Sequence, residues 1–250
     1  MSNLPKFHRH TIYVGQPSER TSCIVGDINN DGVPEVIIAA REPKREIYWL
    51  GRAKTGEWEY HLIDDTFDRV EAGGALADLD GDGRLELVAG GDWQGNIIHW
   101  WDSPDDPTQP WIRREIFRMP QNQSHDQMIA DVDSDGRLEV YFWNQRSKTI
   151  FYAPVPDDPR ISPWPHVYAI WTGVLEEGLC YADVDGDGKN ELIAGLSWYR
   201  PPKSPGGNWE RHEFARGYVS PKSVVADFDG DGKPEIVVSE GDASLNGREY

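Results

Sequence analysis

The sequence has few of the features that mark several protein classes. It contains only two cysteines, Cys23 and Cys180, in 250 residues. Two are too few for a disulfide-held scaffold, and because both lie in apolar runs we expect two buried free thiols. No run approaches the ~18 apolar residues that a membrane helix requires, so no membrane span is expected. The first ten residues, MSNLPKFHRH, show no apolar segment of a signal peptide.

Positive charge is also scarce. The chain has 25 Lys and Arg against 43 Asp and Glu, a net charge of −18. Without a basic face, nucleic acid is excluded as a partner. The acidity is local, because 19 of the acids lie in five nonapeptides and the other 24 nearly balance the basic residues.

The five nonapeptides share one pattern. They begin at residues 27, 78, 131, 183 and 227, so that successive copies lie 51, 53, 52 and 44 residues apart. A period near 50 in a chain of short apolar runs indicates a propeller or a solenoid. The copies read DINNDGVPE (27–35), DLDGDGRLE (78–86), DVDSDGRLE (131–139), DVDGDGKNE (183–191) and DFDGDGKPE (227–235).

Each repeat predicts four short strands. A small apolar run precedes the nonapeptide, and a β-rich run, an aromatic segment and a segment usually opened by Trp follow it. No segment predicts a helix of useful length. We therefore expect an all-β fold, a β-propeller of four-stranded blades, with residues 1–250 as one domain.

The two ends of the chain leave the number of blades open. FHRHTIYV (7–14) matches the fourth strand of a repeat, so it predicts an outer strand that closes the ring. The fifth repeat stops at NGREY (246–250), where a third strand is expected. The chain is then either a five-bladed propeller or part of a six- or seven-bladed ring.

The acids of the nonapeptides predict calcium sites. Alternating carboxylates before a glycine place oxygens on one side of a tight loop, and the ninth-position Glu completes a flexible oxygen shell suited to Ca²⁺. The EF-hand spacing is absent. We expect up to five structural Ca²⁺ ions, held by Asp27, Asn29, Asp31, Glu35, Asp78, Asp80, Asp82, Glu86, Asp131, Asp133, Asp135, Glu139, Asp183, Asp185, Asp187, Glu191, Asp227, Asp229, Asp231 and Glu235.

The motif DxDxDGxxE in a repeat of about 50 residues resembles the FG-GAP/VCBS repeat, which includes the calcium-binding propellers of integrin α-chains. The resemblance covers nearly the whole chain. It implies a calcium-binding propeller in which each metal loop lies at the far end of the innermost strand. The residues five to seven positions before each nonapeptide then line the channel mouth on the opposite face.

The predicted channel mouth carries a different ionisable group from each blade, and this variety favours a binding or catalytic pocket. A solvated rim of mutually compensating charges is the alternative. The catalytic candidates are Arg20, Glu71, His125, Glu177 and Lys222. Three tryptophans that break the repeat pattern and three residues of the second strands are the substrate-binding candidates: Trp93, Trp143, Trp171, Asn144, Arg41 and Trp198.

Two functions remain open at this point. The first is β-elimination from a sugar, as in polysaccharide lyases and ketosugar dehydratases, with His125 as the base and an additional catalytic divalent metal near His125 and Glu177. The segment HRHTIYVGQPSERTS is weakly similar to propeller sugar dehydratases of the aldos-2-ulose type. The alternative is a non-catalytic lectin or adhesion propeller that binds a glycan or a protein. Calcium motifs favour an extracytoplasmic location in either case.

Overall fold

The computed structural model describes residues 7–67, 69–174, 176–218 and 220–240, and all regular elements within them are β-strands. No helix in this part of the chain is long and apolar enough to cross a membrane. The strands are β1 (Glu19–Gly26), β2 (Glu35–Glu42), β3 (Glu46–Arg52), β4 (Trp58–Asp64), β5 (Ala75–Ala77), β6 (Glu86–Gly90), β7 (Ile97–Asp102), β8 (Ile112–Arg118), β9 (Ser124–Ala130), β10 (Glu139–Asn144), β11 (Thr149–Pro154), β12 (Tyr168–Thr172), β13 (Leu179–Ala182), β14 (Glu191–Ala194), β15 (Ser197–Arg200), β16 (Glu210–Glu213), β17 (Pro221–Ala226) and β18 (Glu235–Glu240).

The strands form five antiparallel sheets in chain order. Sheets one to four each contain four consecutive strands, β1–β4, β5–β8, β9–β12 and β13–β16, and sheet five contains β17 and β18. In every sheet an acidic nonapeptide connects the first strand to the second. The first strands of successive sheets contact one another, in the order β1, β5, β9, β13 and β17. The sheets are therefore arranged one after another, as in a propeller.

The core lies between adjacent sheets, and this explains why the second strands are continuously apolar. On β10, Val140 and Phe142 pack with residues of sheet two, whereas Tyr141 and Trp143 pack with residues of sheet four. A strand that is covered on both faces loses the alternation of apolar and polar residues. Each such side chain stabilises the fold by roughly 1.5–3 kcal/mol through burial.

The N-terminal segment does not form the predicted outer strand. Residues 7–18 contain no strand. Tyr13 instead packs against Tyr48 and Tyr60 of sheet one, with ring centroids 5.8 Å away in both cases. The hydroxyl of Ser18 donates to the carbonyl oxygens of Glu42 and Lys44. Aromatic packing against sheet one has thus replaced pairing with the last sheet, and the expectation of a ring-closing strand at 7–14 was wrong.

Sheet five has an exposed apolar face within the described residues. Val224 of β17 lies opposite Val237 of β18, and these side chains are 53% and 48% exposed. The third strand expected at NGREY (246–250) falls outside the residues that the structure describes. The thiols also differ from expectation, because Cys23 is exposed and Cys180 is half-buried.

Candidate functional site

The five nonapeptides fold into loops of one geometry, numbered here one to five in chain order. In every loop the first Asp accepts a hydrogen bond at 2.9 Å from the amide of the glycine five residues later. That glycine has φ between +83° and +90° in all five loops. An L side chain rarely adopts this conformation, so the sixth position requires glycine. The aspartates are therefore fixed on one side of a tight turn.

The ninth-position Glu closes each loop against the strand that follows. Its carboxylate accepts the amide of the second loop residue in loops one, two, four and five, as in the 2.7 Å bond from Leu79 to Glu86. Burial and the neighbouring aspartates raise the pKa of Glu86 to about 8. Burial and Asp133 likewise raise the pKa of Glu139 to about 8. A positive charge beside these glutamates would favour their ionised form.

The loops fit a calcium ion. In loops two to five, three carboxylate oxygens lie within 4.8 Å of one another. In loop two, Glu86 Oε1 is buried and has no hydrogen-bond partner. A cation beside this oxygen would satisfy it, and the donors in these clusters are all oxygens, as Ca²⁺ prefers. The loop residues would hold the ion and join the first two strands of each sheet.

Three loops contain a group that competes with a cation. In loop one, Asn29 Nδ2 donates to Asp31 and Glu35. In loop two, the guanidinium of Arg160 binds Asp80, and in loop four that of Arg200 binds Asp185. The five loops are therefore alike in backbone geometry and unequal in electrostatics.

A second group of polar residues, four of them ionisable, lies at the opposite end of the first strands. We call it the histidine cluster, and its members are His125, Asp126, Gln145, Glu177 and Lys222. Sheet three supplies His125 and Asp126 from β9 and Gln145 just after β10, Glu177 precedes β13, and Lys222 lies on β17. Three consecutive sheets meet here because their first strands are neighbours.

The histidine cluster is tightly connected. His125 Nδ1 lies 3.0 Å from Asp126 Oδ2, and His125 Nε2 lies 3.7 Å from Glu177 Oε1. Gln145 Nε2 donates to Glu177 Oε1 at 2.9 Å. Lys222 Nζ lies 3.8 Å from both Asp126 Oδ1 and Glu177 Oε2. Since His125 and Glu177 are only 6% and 3% exposed, these charges interact with little solvent screening.

The charges in the histidine cluster move one another's pKa values. Burial alone lowers the pKa of His125, but the hydrogen bond to Asp126 and the charges of Asp126 and Glu177 raise it above its ordinary value. Burial raises the pKa of Glu177. Burial also opposes ionisation of Asp126, yet His125 and Lys222 lower its pKa below the ordinary value. The geometry favours a protonated histidine beside an ionised aspartate.

The backbone conformation at Asp126 places its carboxylate in the histidine cluster. Asp126 has φ of +42°, which is uncommon for a residue with a side chain. Its amide donates to Ala72 O of sheet two, and its carboxylate accepts the amide of Gly178 at 2.7 Å. Contacts from both neighbouring sheets therefore hold the strained conformation. Residue pattern alone gave no sign of this role for Asp126.

The catalytic candidates divide between separate groups. The structure brings His125, Glu177 and Lys222 together. Glu71 is instead paired with Arg41 at 3.0 Å. Arg20 donates to Tyr48 Oη at 3.2 Å and to the backbone of the N-terminal segment. Neither Glu71 nor Arg20 joins the histidine cluster in these contacts.

Two of the substrate-binding candidates are structural. Trp143 is fully buried, and its indole donates to Gly178 O, so the expectation that it stacks on a sugar was wrong. The sequence pattern did not reveal this because β10 is covered on both faces. Asn144 is also fully buried, and its amide donates to three backbone carbonyls. Asn144 therefore fixes the segment before β9 and is not available to a ligand.

The other three tryptophans lie nearer the surface. Trp171 packs against Tyr199 between sheets three and four, and Trp198 stacks on His212 with centroids 3.8 Å apart. Trp93 is 36% exposed. The guanidinium groups of Arg41 and Arg69 lie over its ring, 4.7 and 4.8 Å from the centroid. Arg69 was not a candidate from the sequence, because it lies nine residues before its nonapeptide, outside the positions expected to line the channel mouth.

Comparison with known proteins identifies the repeat. The FG-GAP-like repeat family matches residues 27–89, 78–142 and 183–238. The crystal structure of the V. cholerae biofilm matrix protein Bap1 matches with a TM-score of 0.56 and 20% identity, over 88% of this chain and 35% of that chain. This chain thus spans about a third of Bap1, and the likeness concerns the fold. No curated protein matches the chain. These matches give no support for similarity to sugar dehydratases.

Proposed function

Because this chain belongs to the FG-GAP-like repeat family, we propose that it is a calcium-stabilised β-propeller module that binds a carbohydrate without catalysing a reaction of it. The acidic loops supply the stability and the opposite end of the strands supplies the binding surface. Residues 1–250 form one domain in this proposal. The Bap1 match is described as a biofilm matrix protein, which agrees with binding as the main role.

Calcium is proposed for all five loops. The supporting observation is the orphaned, buried Glu86 Oε1, together with carboxylate clusters of the same geometry in loops two to five. Ca²⁺ binds only the folded loop, so saturating Ca²⁺ raises the free energy of unfolding. At the modest affinity of such exposed loops, an extracytoplasmic location is the one in which they would be filled.

The observation that carries carbohydrate binding is the exposed Trp93 at the ligand-facing end of the strands. Of the four tryptophans among the substrate-binding candidates, only Trp93 combines an exposed ring with two neighbouring guanidinium groups. Arg41 and Arg69 also contact Glu71 and Glu42, so the ring is held in place by charged pairs. A fixed aromatic ring beside several hydrogen-bond donors is a surface that recognises sugars.

Elimination chemistry has weaker support from the same geometry. A general base must be unprotonated when it removes a proton, and the neighbouring carboxylates raise the pKa of His125. The predicted partner Arg20 bonds to Tyr48 instead, and Glu71 pairs with Arg41. Two of the five catalytic candidates, Arg20 and Glu71, therefore have partners outside the histidine cluster.

The exposed valines of sheet five support a ring with more than five blades. Val224 and Val237 occupy a face that in sheets one to three is covered by the next sheet. A further sheet packed there would bury both side chains. This favours the six- or seven-bladed alternative.

Binding is tested by screening acidic and neutral glycans against the intact chain in Ca²⁺, with product analysis of the same mixtures. We expect saturable binding without product. Trp93→Ala should weaken binding at least tenfold, whereas Trp198→Ala, a half-buried tryptophan of sheet four, should not. Formation of unsaturated product that depends on His125 would overturn the proposal in favour of a lyase. Binding to proteins alone would overturn the carbohydrate assignment.

A further inference from the structure

We propose that His125, Asp126 and Glu177 bind one divalent transition-metal ion of the Zn²⁺ class, at a site separate from the five acidic loops. Their ligand atoms lie within 4.8 Å of one another. The residues come from two sheets, since His125 and Asp126 lie on β9 and Glu177 precedes β13. The site does not depend on carbohydrate binding, because it is defined by side chains that face one another in the free protein.

The hydrogen bonds leave the required lone pairs available. Asp126 Oδ2 accepts the amide of Gly178 and lies 3.0 Å from His125 Nδ1. Binding of an ion would displace the proton from Nε2 of His125, and the lone pair freed in this way faces Glu177 Oε1, 3.7 Å away. Two ligand atoms bound to one Zn²⁺ at about 2.0–2.2 Å lie about 3–4 Å from each other. The separation of His125 Nε2 and Glu177 Oε1 falls in this range.

The ammonium group of Lys222 lies where the proposed metal ion would bind. Its ammonium lies 3.8 Å from Asp126 Oδ1 and 3.8 Å from Glu177 Oε2, beyond hydrogen-bond length from either oxygen. It therefore balances the two carboxylates mainly through its charge. The side chain of Lys222 is 46% exposed, so its flexible stem can swing into solvent when an ion takes its place. Lys222 acts in this proposal as a competitor that lowers the affinity for metal.

The donor set selects the class of ion. One imidazole nitrogen with carboxylate oxygens suits transition metals such as Zn²⁺, whereas Ca²⁺ takes oxygen ligands alone. Gln145 holds Glu177 in place through a 2.9 Å hydrogen bond, so this ligand is oriented before the ion arrives. Positions not filled by the protein remain open to an oxygen of a bound molecule.

The test is titration of the intact chain with Co²⁺ and Zn²⁺ alone, in excess Ca²⁺ so that the acidic loops are filled. Calorimetry gives the stoichiometry, and the visible spectrum of Co²⁺ reports a nitrogen-containing shell. We expect one ion per chain, and we expect binding to weaken at least tenfold in His125→Ala and in Glu177→Gln. Lys222→Met should bind about tenfold more tightly, because the competing charge is gone.

His212→Ala is the matched control. His212 Nε2 also faces a carboxylate, Glu210, at 4.0 Å, but among the described residues it belongs to no group of three potential metal ligands, so its loss should leave the titration unchanged. Melting curves in Ca²⁺ check that each variant is folded, and Glu177→Gln preserves side-chain shape. The proposal is overturned if neither the wild type nor Lys222→Met binds Co²⁺ or Zn²⁺. Equal effects of His125→Ala and His212→Ala would also overturn it, since binding would then reside on surface histidines.

Discussion

The side-chain amide of Asn29 donates to Glu35 Oε1 at 3.1 Å, within an acidic loop that elsewhere brings carboxylates together. The same amide donates to Asp31 at 3.3 Å. Loops two to five carry an aspartate at this third position. In loop one, N–H groups therefore stabilise carboxylates that a cation would stabilise in the other loops. This difference predicts that loop one is the weaker calcium site.

Asn29→Asp is expected to strengthen calcium binding at loop one by about tenfold or more, because it adds a carboxylate and removes the competing N–H groups. Calorimetric titration with Ca²⁺ measures the change, and the melting temperature in Ca²⁺ should rise with it. Asn190→Asp is the control, since it adds the same charge at the eighth position of loop four, outside the alternating ligand positions. An equal gain in both variants would contradict the explanation.

Arg160→Gln is expected to strengthen calcium binding at loop two by about tenfold, because the guanidinium of Arg160 binds Asp80. Asp102, the second partner of Arg160, keeps its 3.2 Å contact with Arg114 and is not left unpaired. Arg137→Gln is the matched control: Arg137 belongs to loop three but pairs with the exposed Asp157. A titration unchanged by Arg160→Gln would show that the arginine does not compete with the ion.

The repeat made the acidic loops predictable from sequence, because the five nonapeptides share one residue pattern and adopt one backbone geometry. The histidine cluster was predictable only in part. Register placed His125, Glu177 and Lys222 at one end of the strands. The role of Asp126 depends on a left-handed backbone held by Ala72 and Gly178, and such long-range contacts leave no periodic signal.

Two expectations failed for physical reasons that the sequence does not display. The pattern of residues 7–14 suits a strand, but Tyr13 packs against Tyr48 and Tyr60 of sheet one instead. Trp143 breaks the repeat, which suggested a ligand contact. It is buried because strand β10 has sheets on both sides, and sequence alone does not distinguish an unusual core residue from a functional one.

Asp64→Asn is expected to cost on the order of 1–3 kcal/mol of unfolding free energy at pH 7, because Asp64 accepts from Trp101 and Arg113 across two sheets. Burial alone raises the pKa of Asp64, but hydrogen bonds from Thr66 and Trp101 and the charge of Arg113 lower it below the ordinary 3.8. Stability from a depressed carboxyl pKa is present above the unfolded value and is lost as pH falls through the folded value.

The difference between wild type and Asp64→Asn should therefore shrink as pH falls below about 4, since the protonated wild type loses the same interactions. Urea unfolding at several pH values measures the difference in unfolding free energy between the two proteins. Asp157→Asn removes the carboxylate of an exposed pair and should change the unfolding free energy little at any pH. If the loss of unfolding free energy in Asp64→Asn does not vary with pH, the electrostatic explanation is contradicted.

The two cysteines should differ in reactivity. Cys23 is exposed, whereas burial raises the pKa of Cys180 to about 11 and its thiol contacts Ser223 O. Because the thiolate is the reactive form, a disulfide reagent at pH 8 should label one thiol rapidly in the folded protein and two in denaturant. Cys23→Ser should abolish the rapid phase and Cys180→Ser should preserve it. Rapid labelling of Cys180 in the folded state would show that sheet four opens readily.

Gly73→Ala is expected to destabilise the protein more than Gly173→Ala, although both glycines have φ of +111°. A Cβ at Gly173 meets no atom within 4 Å, so that variant isolates the backbone cost of roughly 1 kcal/mol or more. A Cβ at Gly73 would lie 2.6 Å from the Cα of Asp126, which is backbone and cannot rotate away. Overpacking should add about 1–3 kcal/mol and displace Asp126 from Gly178. Denaturant unfolding of the two variants gives the difference, and equal losses would mean that sheets two and three are not in close contact at the histidine cluster.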